Sequence, residues 1–310
     1  MKRIPNNVIK IAPLVIFVAL FAWLAVAVSK RPVGTANDRK LQVVAGENFW
    51  GSLASQLGGA HVAVRSVVSD PNADPHEYET SNADARAVAT ANYVILNGAG
   101  YDGWGDKLVA ANPHAGRKTL NVADLLGKKA GDNPHFWYSP AYVNRAVVQM
   151  ERDFAALDPA DKQYFAQQLV TLQASLAKYQ NHITAIKQEF GGTKVAATED
   201  VFDYLADATG LTVISPTAFI QAVAEGNDPP AASVATFQQQ LREKQAAVLV
   251  YNRQTITPLT TGMQNLAGDE SIPTVAVTET IQPPNTPFQD WMDAQLTVLE
   301  TSLRMTKDGR

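Results

Sequence analysis

Two histidines in proline-containing loops are the residues of this chain best suited to bind a metal ion. His76 stands in the loop sequence DPHE, and His135 stands in the loop sequence NPHF. A proline fixes its own φ angle and keeps the residue before it extended, so each loop reaches its histidine along a stiffened path. Rigid loops favour metal ligation because less conformational entropy is lost when the ion binds. We therefore treat His76 and His135 as candidate metal ligands.

The other three of the five histidines have simpler interpretations. His61 opens a predicted strand, His114 stands in a polar turn, and His182 falls on the solvated face of a long predicted helix. Ordinary structural positions account for all three.

Two carboxylates follow predicted strands in the second half of the chain. Glu199 comes after the run VAAT, and Glu279 comes after the run VAVT. In open α/β sheets ligands bind beyond the carboxyl ends of the strands, although a single glutamate at such a place is more often a surface residue. Two imidazoles and two carboxylates would neutralise a divalent ion, and this donor set suits Mn, Fe or Zn rather than Cu(I) or Ca.

Composition excludes several other classes of site. The 310 residues include no cysteine, which rules out disulfides, Cys-ligated zinc, Fe–S clusters, thiol catalysis and a lipid anchor on an N-terminal cysteine. The formal net charge of -4 gives no basic surface for nucleic acid. With 46% hydrophobic residues, the chain is long and apolar enough for two domains of ordinary size.

The first residues predict export from the cytoplasm. Residues 11–28 form an unbroken apolar run preceded by Lys2, Arg3 and Lys10, and Ala25-Val26-Ala27 offers a cleavage site. The run is long for a signal peptide and short for a membrane span. Residues 1–31 are therefore either a cleaved signal peptide or a retained N-terminal membrane anchor, and residues 32–40 are a linker.

The sequence predicts two α/β halves joined by one helix, and these elements must position the candidate ligands. Short apolar runs such as YVIL (93–96) and AAVLVY (246–251) alternate with helical stretches, which indicates parallel sheets. Between the halves, apolar residues recur at alternating four- and three-residue spacing from Phe165 to Phe190, which predicts a helix over 158–190. We expect an N-terminal lobe at 41–157 and a C-terminal lobe at 191–310.

Several ordered segments resemble the solute-binding proteins of ABC importers that take up zinc and manganese. The segments are DPHEYE (74–79), NGAGYDGW (97–104), NPHFWYSP (133–140), the long helix, ATEDVFDYL (197–205), YNRQ (251–254), TET (278–280) and FQDW (288–291). The resemblance implies two (β/α) sandwich lobes joined by a rigid helix, with the metal site in the interlobe cleft. It also implies a monomeric extracytoplasmic receptor, periplasmic or on the outer face of the cytoplasmic membrane, that serves an ABC permease and is not an enzyme.

The resemblance further implies that His76, His135, Glu199 and Glu279 hold one ion, Mn2+ or Zn2+, with Fe2+ also compatible. The family more usually has aspartate where this chain has Glu279, so Asn252 or a water molecule are rivals for the fourth ligand. A glutamate at the position of Glu199, where zinc receptors often have histidine, is commoner in manganese and iron receptors. A metal-linked role in cell adhesion is also compatible with such a protein.

Two alternative functions remain open at this point. A receptor for a metal chelate, such as a siderophore, would need a wide aromatic or basic cleft, and Trp104, Phe136 and Trp137 are candidates for the aromatic kind. A metallohydrolase would need a general base, for which Glu77 or Asp200 could serve, but the sequence contains no HExxH motif.

Overall fold

Eight parallel strands form two four-stranded sheets in the computed structural model, which describes residues 40–70 and 78–308. The first sheet has the order β2-β1-β3-β4 and the second has the order β6-β5-β7-β8, so the two sheets repeat one topology. The strands are β1 (Leu41–Glu47), β2 (Val62–Val68), β3 (Tyr93–Leu96), β4 (Lys118–Asn121), β5 (Lys194–Ala197), β6 (Thr212–Val213), β7 (Leu249–Asn252) and β8 (Thr274–Val277). The predicted two-lobed α/β class is confirmed.

Helices cover both faces of these sheets, as buried parallel strands require. They are α1 (Asn48–Gly58), α2 (Asn82–Thr90), α3 (Gly103–Ala111), α4 (Val122–Leu126), α5 (Pro140–Leu157), α6 (Lys162–Phe190), α7 (Asp203–Thr209), α8 (Thr217–Ala224), α9 (Ala231–Arg242), α10 (Pro258–Asp269) and α11 (Phe288–Asp308). We call the first sheet with its helices the N-terminal lobe and the second sheet with its helices the C-terminal lobe. Within the described residues, every helix is too short or too polar to cross a bilayer, and the apolar run 11–28 lies outside those residues.

The long helix α6 belongs to both lobes. It packs against α1 and α5 of the N-terminal lobe and against α7 and α11 of the C-terminal lobe. Its apolar stripe is buried as the spacing predicts, including Phe165, Leu172, Leu176 and Phe190. The start differs from the prediction, because α5 runs to Leu157 and a 3-10 turn over Pro159–Asp161 precedes α6.

His182, expected on a solvated face of α6, lies between two carboxylates of α11. Its Nδ1 is 2.8 Å from Asp293 Oδ1 and its Nε2 is 3.0 Å from Glu300 Oε2. The expectation was wrong because helical periodicity shows which face is polar and not what covers that face. His61 similarly contacts a carboxylate, that of Asp161, and His114 is exposed in a turn.

One apolar core continues from the N-terminal lobe through α6 into the C-terminal lobe. Its buried members include Trp50 and Tyr93 on one side, Leu176 on α6, and Val275 and Trp291 on the other side. Since residues 41–310 form one compact unit, a wide hinge motion would break this shared core. The fold therefore favours small relative movements of the lobes.

Removing core volume from α6 should destabilise the whole molecule. Leu176 is fully buried, so Leu176→Ala is expected to lower the free energy of unfolding by about 2–5 kcal/mol, measured by urea denaturation. Val170→Ala, on the exposed side of the same helix, is the matched control and should change it by no more than about 0.5 kcal/mol. Equal effects from the two substitutions would contradict the packing described here.

Candidate metal centre

His135 is delivered to the cleft by a short, well-fixed loop. It precedes a 3-10 turn over Phe136–Tyr138 and is only 2% exposed. Asn133 holds the loop, because its Oδ1 accepts a hydrogen bond from the backbone N of His135 at 2.9 Å and also lies 2.9 Å from the ring Nδ1. The amide of Asn133 donates to the backbone oxygen of Asp200 at 2.7 Å, which ties this loop to the C-terminal lobe. The ring is thus oriented from its Nδ1 side, and its Nε2 side faces Glu279.

The two predicted carboxylates lie at the carboxyl ends of strands of the second sheet, as expected. Glu199 follows β5 and is 5% exposed, and Glu279 follows β8 and is 1% exposed. Glu279 accepts hydrogen bonds from the Tyr101 hydroxyl at 2.7 Å and from the Asn252 amide at 2.6 Å. Its own backbone N donates to the side chain of Gln254 at 2.7 Å. The two carboxylate oxygens of Glu279 are therefore held in place by hydrogen-bond donors from different lobes.

The structure brings two of the four predicted ligands, His135 and Glu279, within 3.7 Å of each other. The Nε2 atom of His135 lies 3.7 Å from Glu279 Oε2, and Nδ1 lies 3.2 Å from Asp200 Oδ1. Burial, followed by the charge of Glu279, raises the pKa of Glu199 well above its ordinary value. The fourth predicted ligand, His76, lies outside the described residues.

The described residues do not by themselves complete a metal site. Across 40–70 and 78–308, no group of three or more His, Asp or Glu side chains is arranged so that it could hold an ion. His135, Glu199 and Glu279 all lie in the described part of the chain and do not form such a group there, and His76 lies outside it.

The charges of the site act strongly on His135. Burial alone would lower the pKa of this imidazole, but the neighbouring Asp200 and Glu279 carboxylates raise it to about 10. The protonated His135 ring thus supplies positive charge among these buried carboxylates, in the place of a metal cation. The arrangement therefore attracts cations, and a divalent ion would compete with the proton on His135.

Asn252, a rival to Glu279 as fourth ligand, is hydrogen-bonded to Glu279 in this structure. Its Oδ1 accepts from the backbone N of Gln254 at 2.9 Å, while its amide donates to Glu279. Asn252 thus presents hydrogen-bond donors to the site carboxylates and orients Glu279. Tyr101 acts in the same way from the other lobe, and the sequence offered a signal for it only through the NGAGYDGW segment.

An acid-lined cavity opens beside the site. Its volume is about 1120 Å³, and both lobes contribute to its walls. Its described lining includes the acidic residues Asp132, Glu199, Asp200, Asp203, Asp207 and Glu225 together with His135, and no Lys or Arg is among those lining residues. Burial and then the charges of Asp200 and Asp207 raise the pKa of Asp203 to about 7. The cavity therefore concentrates cations next to His135 and Glu199.

The three aromatic residues considered for a chelate cleft, Trp104, Phe136 and Trp137, do not line the large cavity. Phe136 and Trp137 are fully buried, and Trp137 stacks on Phe49 with ring centroids 3.9 Å apart. The described lining of the large cavity includes neither of them, nor Trp104. A chelate receptor was expected to use these three rings in an open cleft, so the structure does not favour that alternative.

The chain is similar to known metal-import proteins over most of its length. A family model described as "Zinc-uptake complex component A periplasmic" (ZnuA) matches residues 43–302. The manganese ABC transporter substrate-binding lipoprotein PsaA of Streptococcus anginosus is 24% identical over 248 residues, which cover 74% of this chain and 77% of that protein. The iron ABC transporter substrate-binding lipoprotein MtsA of Streptococcus pyogenes serotype M1 is 25% identical over 219 residues, covering 65% and 68%.

A solved structure shows the same fold. The substrate-binding protein FpvC from Pseudomonas aeruginosa, solved in complex with Mn2+, superposes with a TM-score of 0.71 at 18% sequence identity. The superposition covers 86% of this chain and 99% of that chain. The predicted resemblance and the predicted fold are both confirmed by these comparisons.

Proposed function

Because the chain belongs to the periplasmic zinc-uptake component A family, we propose that it is the solute-binding component of a metal ABC importer. It binds one divalent transition-metal ion in the cleft between its lobes and delivers that ion to a membrane permease. The observation that carries this proposal is the approach of His135, from the N-terminal lobe, to Glu279, from the C-terminal lobe, at 3.7 Å. Opposite lobes thus supply nitrogen and oxygen donors to one buried point.

The proposed ligands are His76, His135, Glu199 and Glu279. His76 is assigned from its sequence segment DPHEYE alone, since it lies outside the described residues. A carboxylate oxygen has two lone pairs, so Glu279 can keep its bonds to Tyr101 and Asn252 and still bind an ion. Two imidazoles and two carboxylates would balance a divalent charge in a buried site, which otherwise carries a high desolvation cost.

The proposed cargo is Mn2+ or Zn2+, with Fe2+ also compatible. The relatives are named for manganese and iron transport, and the family model is named for zinc uptake. Site affinity alone favours zinc over manganese for most nitrogen and oxygen donor sets. Selection for manganese would therefore have to come from geometry and from the number of oxygen donors.

Delivery follows from the division of ligands between the lobes. The ion ties the two lobes together, while α6 and the shared core restrict the lobes to a small tilt. Docking on the permease would loosen the carboxylate side of the site, where Glu199 and Glu279 lie on strand ends of one lobe. Release then requires a displacement of the C-terminal ligands and no wide opening of the cleft.

The proposed location is the periplasm or the outer face of the cytoplasmic membrane, with the protein acting as a monomer. Two relatives are named lipoproteins, and the 310-residue sequence contains no cysteine. Residues 11–28 are the proposed means of membrane association. The permease subunit is the proposed protein partner.

Metal binding is the direct test of this function. The purified, chelator-treated chain is expected to take up one ion of Mn2+, Zn2+ or Fe2+ and to melt at a higher temperature. A ligand at one hundred times its Kd stabilises the folded state by about 2.7 kcal/mol. His76→Ala should bind far more weakly under the same conditions. Absence of both uptake and thermal shift with all three ions would refute the metal receptor and bring a chelate receptor forward.

A further inference from the structure

A stripe of polar side chains on α1 connects the N-terminal lobe to a segment of the C-terminal lobe. Asn48, Ser52 and Gln56 follow one another at four-residue spacing, so they lie on one face of the helix. All three are partly buried, whereas Phe49, on another face of α1, is fully buried in the shared core. We call these three residues the α1 stripe, and they make polar contacts beside the apolar packing between the lobes.

Asn48 holds the C-terminal lobe at a point two residues beyond Glu279. Its Oδ1 accepts a hydrogen bond from the backbone N of Ile281 at 2.9 Å, and its amide donates to the backbone oxygen of Ile281 at 3.4 Å. Gln254, which belongs to the C-terminal lobe, accepts from the backbone N of Thr280 at 3.0 Å. The backbone therefore changes its partner lobe between Thr280 and Ile281, directly after the proposed ligand Glu279.

Ser52 and Gln56 contact the other end of the same segment. Ser52 Oγ accepts from the backbone N of Phe288 at 3.1 Å, and the side-chain amide of Gln289 donates to Gln56 Oε1 at 2.9 Å. Gln56 in turn donates to Ser52 Oγ at 3.4 Å, so the two side chains of α1 are bonded to each other. Hydrogen bonds that are linked in this way strengthen one another. We therefore expect the bonds of the α1 stripe to form and break together.

Water can replace the bonds of the α1 stripe at little cost. A cavity of about 600 Å³ lies between the stripe and residues 281–287, and no charged residue is among its described lining. When such a bond opens, water takes over both partners, so the net change in free energy is small. The apolar core that the lobes share through α6 cannot separate without leaving voids. The α1 stripe is therefore a place where the lobes can part while their common core stays packed.

We propose that the α1 stripe is a latch between the lobes, and that its opening sets the rate at which the metal ion leaves. The closed latch holds residues 281–289, and with them Glu279, against the N-terminal lobe. The open latch lets Glu279 withdraw with its own lobe. The three side chains of the stripe are positioning residues, because they act on the ion through this segment. The part of the inference that concerns ion release rests on the proposed function.

Hydrogen exchange of the metal-free protein tests the latch without any ion. The backbone amides of Ile281 and Phe288 donate to the latch, so their exchange rates report its opening. Ser52→Ala removes the acceptor of the Phe288 amide and leaves the acceptor of the Ile281 amide in place. It should nevertheless speed exchange at both amides by about fivefold or more, because the latch opens as one unit.

Ser55→Ala is the matched control, since Ser55 is an exposed serine of the same helix. It should change neither exchange rate by more than about twofold. Alanine is a better helix former than serine, so both variants are expected to fold. Faster exchange at Phe288 alone in Ser52→Ala, or no change at either amide, would overturn the latch.

Release of Mn2+ or Zn2+ into excess chelator, followed by stopped flow, tests the role of the latch in ion release. Ser52→Ala should raise the dissociation rate constant by about fivefold or more, while the association rate constant stays within about twofold of wild type. A general loss of folded protein would not produce this division. Ser52→Thr keeps the hydroxyl group and should restore the wild-type dissociation rate.

An unchanged dissociation rate in Ser52→Ala, together with faster exchange at both amides, would overturn the role in release. Failure of the wild-type chain to bind either ion would refute the proposed function instead. The exchange rates of the metal-free protein would still decide whether the latch exists.

Discussion

The His135→Ala variant is expected to lose high-affinity metal binding, with Kd for Mn2+ raised by more than about 100-fold, since loss of even an outer partner of a ligand commonly costs 10- to 100-fold. His135 is the imidazole that, within the described part of the chain, touches the cleft carboxylates. Its ring is held by Asn133 before any ion arrives, so the donor geometry is prepared in advance. Isothermal titration calorimetry of the metal-free protein measures the effect.

The same substitution should also weaken the metal-free fold, because Asp200 and Glu279 would lose the cation between them. Removing one partner of a buried ion pair typically costs about 3–5 kcal/mol. His114→Ala is the control, since His114 is exposed in a turn and should alter neither binding nor stability. Manganese affinity that falls by less than about threefold in His135→Ala would show that the ion is held elsewhere.

The second large effect is a pH dependence of opposite sign with and without metal. In the metal-free protein the pKa of His135 is raised from 6.5 to about 10, and that of Asp102 is raised by burial from 3.8 to about 6. The pKa of Glu199 is raised well above 4.5 by burial and by Glu279. A raised folded-state pKa contributes stability that is complete below the unfolded pKa and is lost as the pH rises through the folded pKa. We therefore expect the metal-free melting temperature to fall steadily from pH 5 to pH 9.

Acids whose pKa values are lowered do not change the expected trend in melting temperature between pH 5 and pH 9. Asp84 and Asp293 gain their stabilising contacts above their ordinary pKa of 3.8 and lose them only as the pH falls further. The rise in the pKa of Asp102 from 3.8 to about 6 corresponds by itself to about 3 kcal/mol of folding free energy, which is lost between pH 4 and pH 7.

Metal binding should reverse the trend, because ligation requires neutral imidazole and ionised carboxylates, so affinity rises with pH. Scanning calorimetry from pH 5 to pH 9, in chelator and in excess Mn2+, should show a thermal shift that grows with pH. Glu199→Gln removes one titrating group and should flatten the metal-free curve. A metal-free melting temperature that rises over this range would contradict the assignment of buried, protonated groups to the cleft.

The repeating elements could be predicted because they depend on local pattern. The apolar run of β3 is buried on every residue, and the stripe of α6 faces the core as its spacing indicates. The start of α6 was less predictable, because Asp158 ends α5 by donating to Phe154 and the chain then makes a 3-10 turn. Two helices meeting at one aspartate cannot be separated by periodicity alone.

The site was predictable only where a residue belongs to a short motif. His135 and Glu199 stand in segments that resemble a family, and the structure places both in the cleft. The role of Tyr101 depends on a contact with a segment more than 170 residues away in sequence, the hydrogen bond from its hydroxyl to Glu279. Residue spacing along the chain does not indicate which distant residues pair, so such contacts are seen only in the folded structure.

The acid-lined cavity has a consequence for the chemical form in which metal arrives. Both lobes contribute carboxylates to the cavity wall, and no lysine or arginine is among the described lining residues. The resulting negative potential disfavours the entry of anions into this volume. Citrate, phosphate and most small chelators are anionic, and their metal complexes carry that charge with them. We therefore expect a hydrated metal cation to enter this volume more readily than an anionic metal complex.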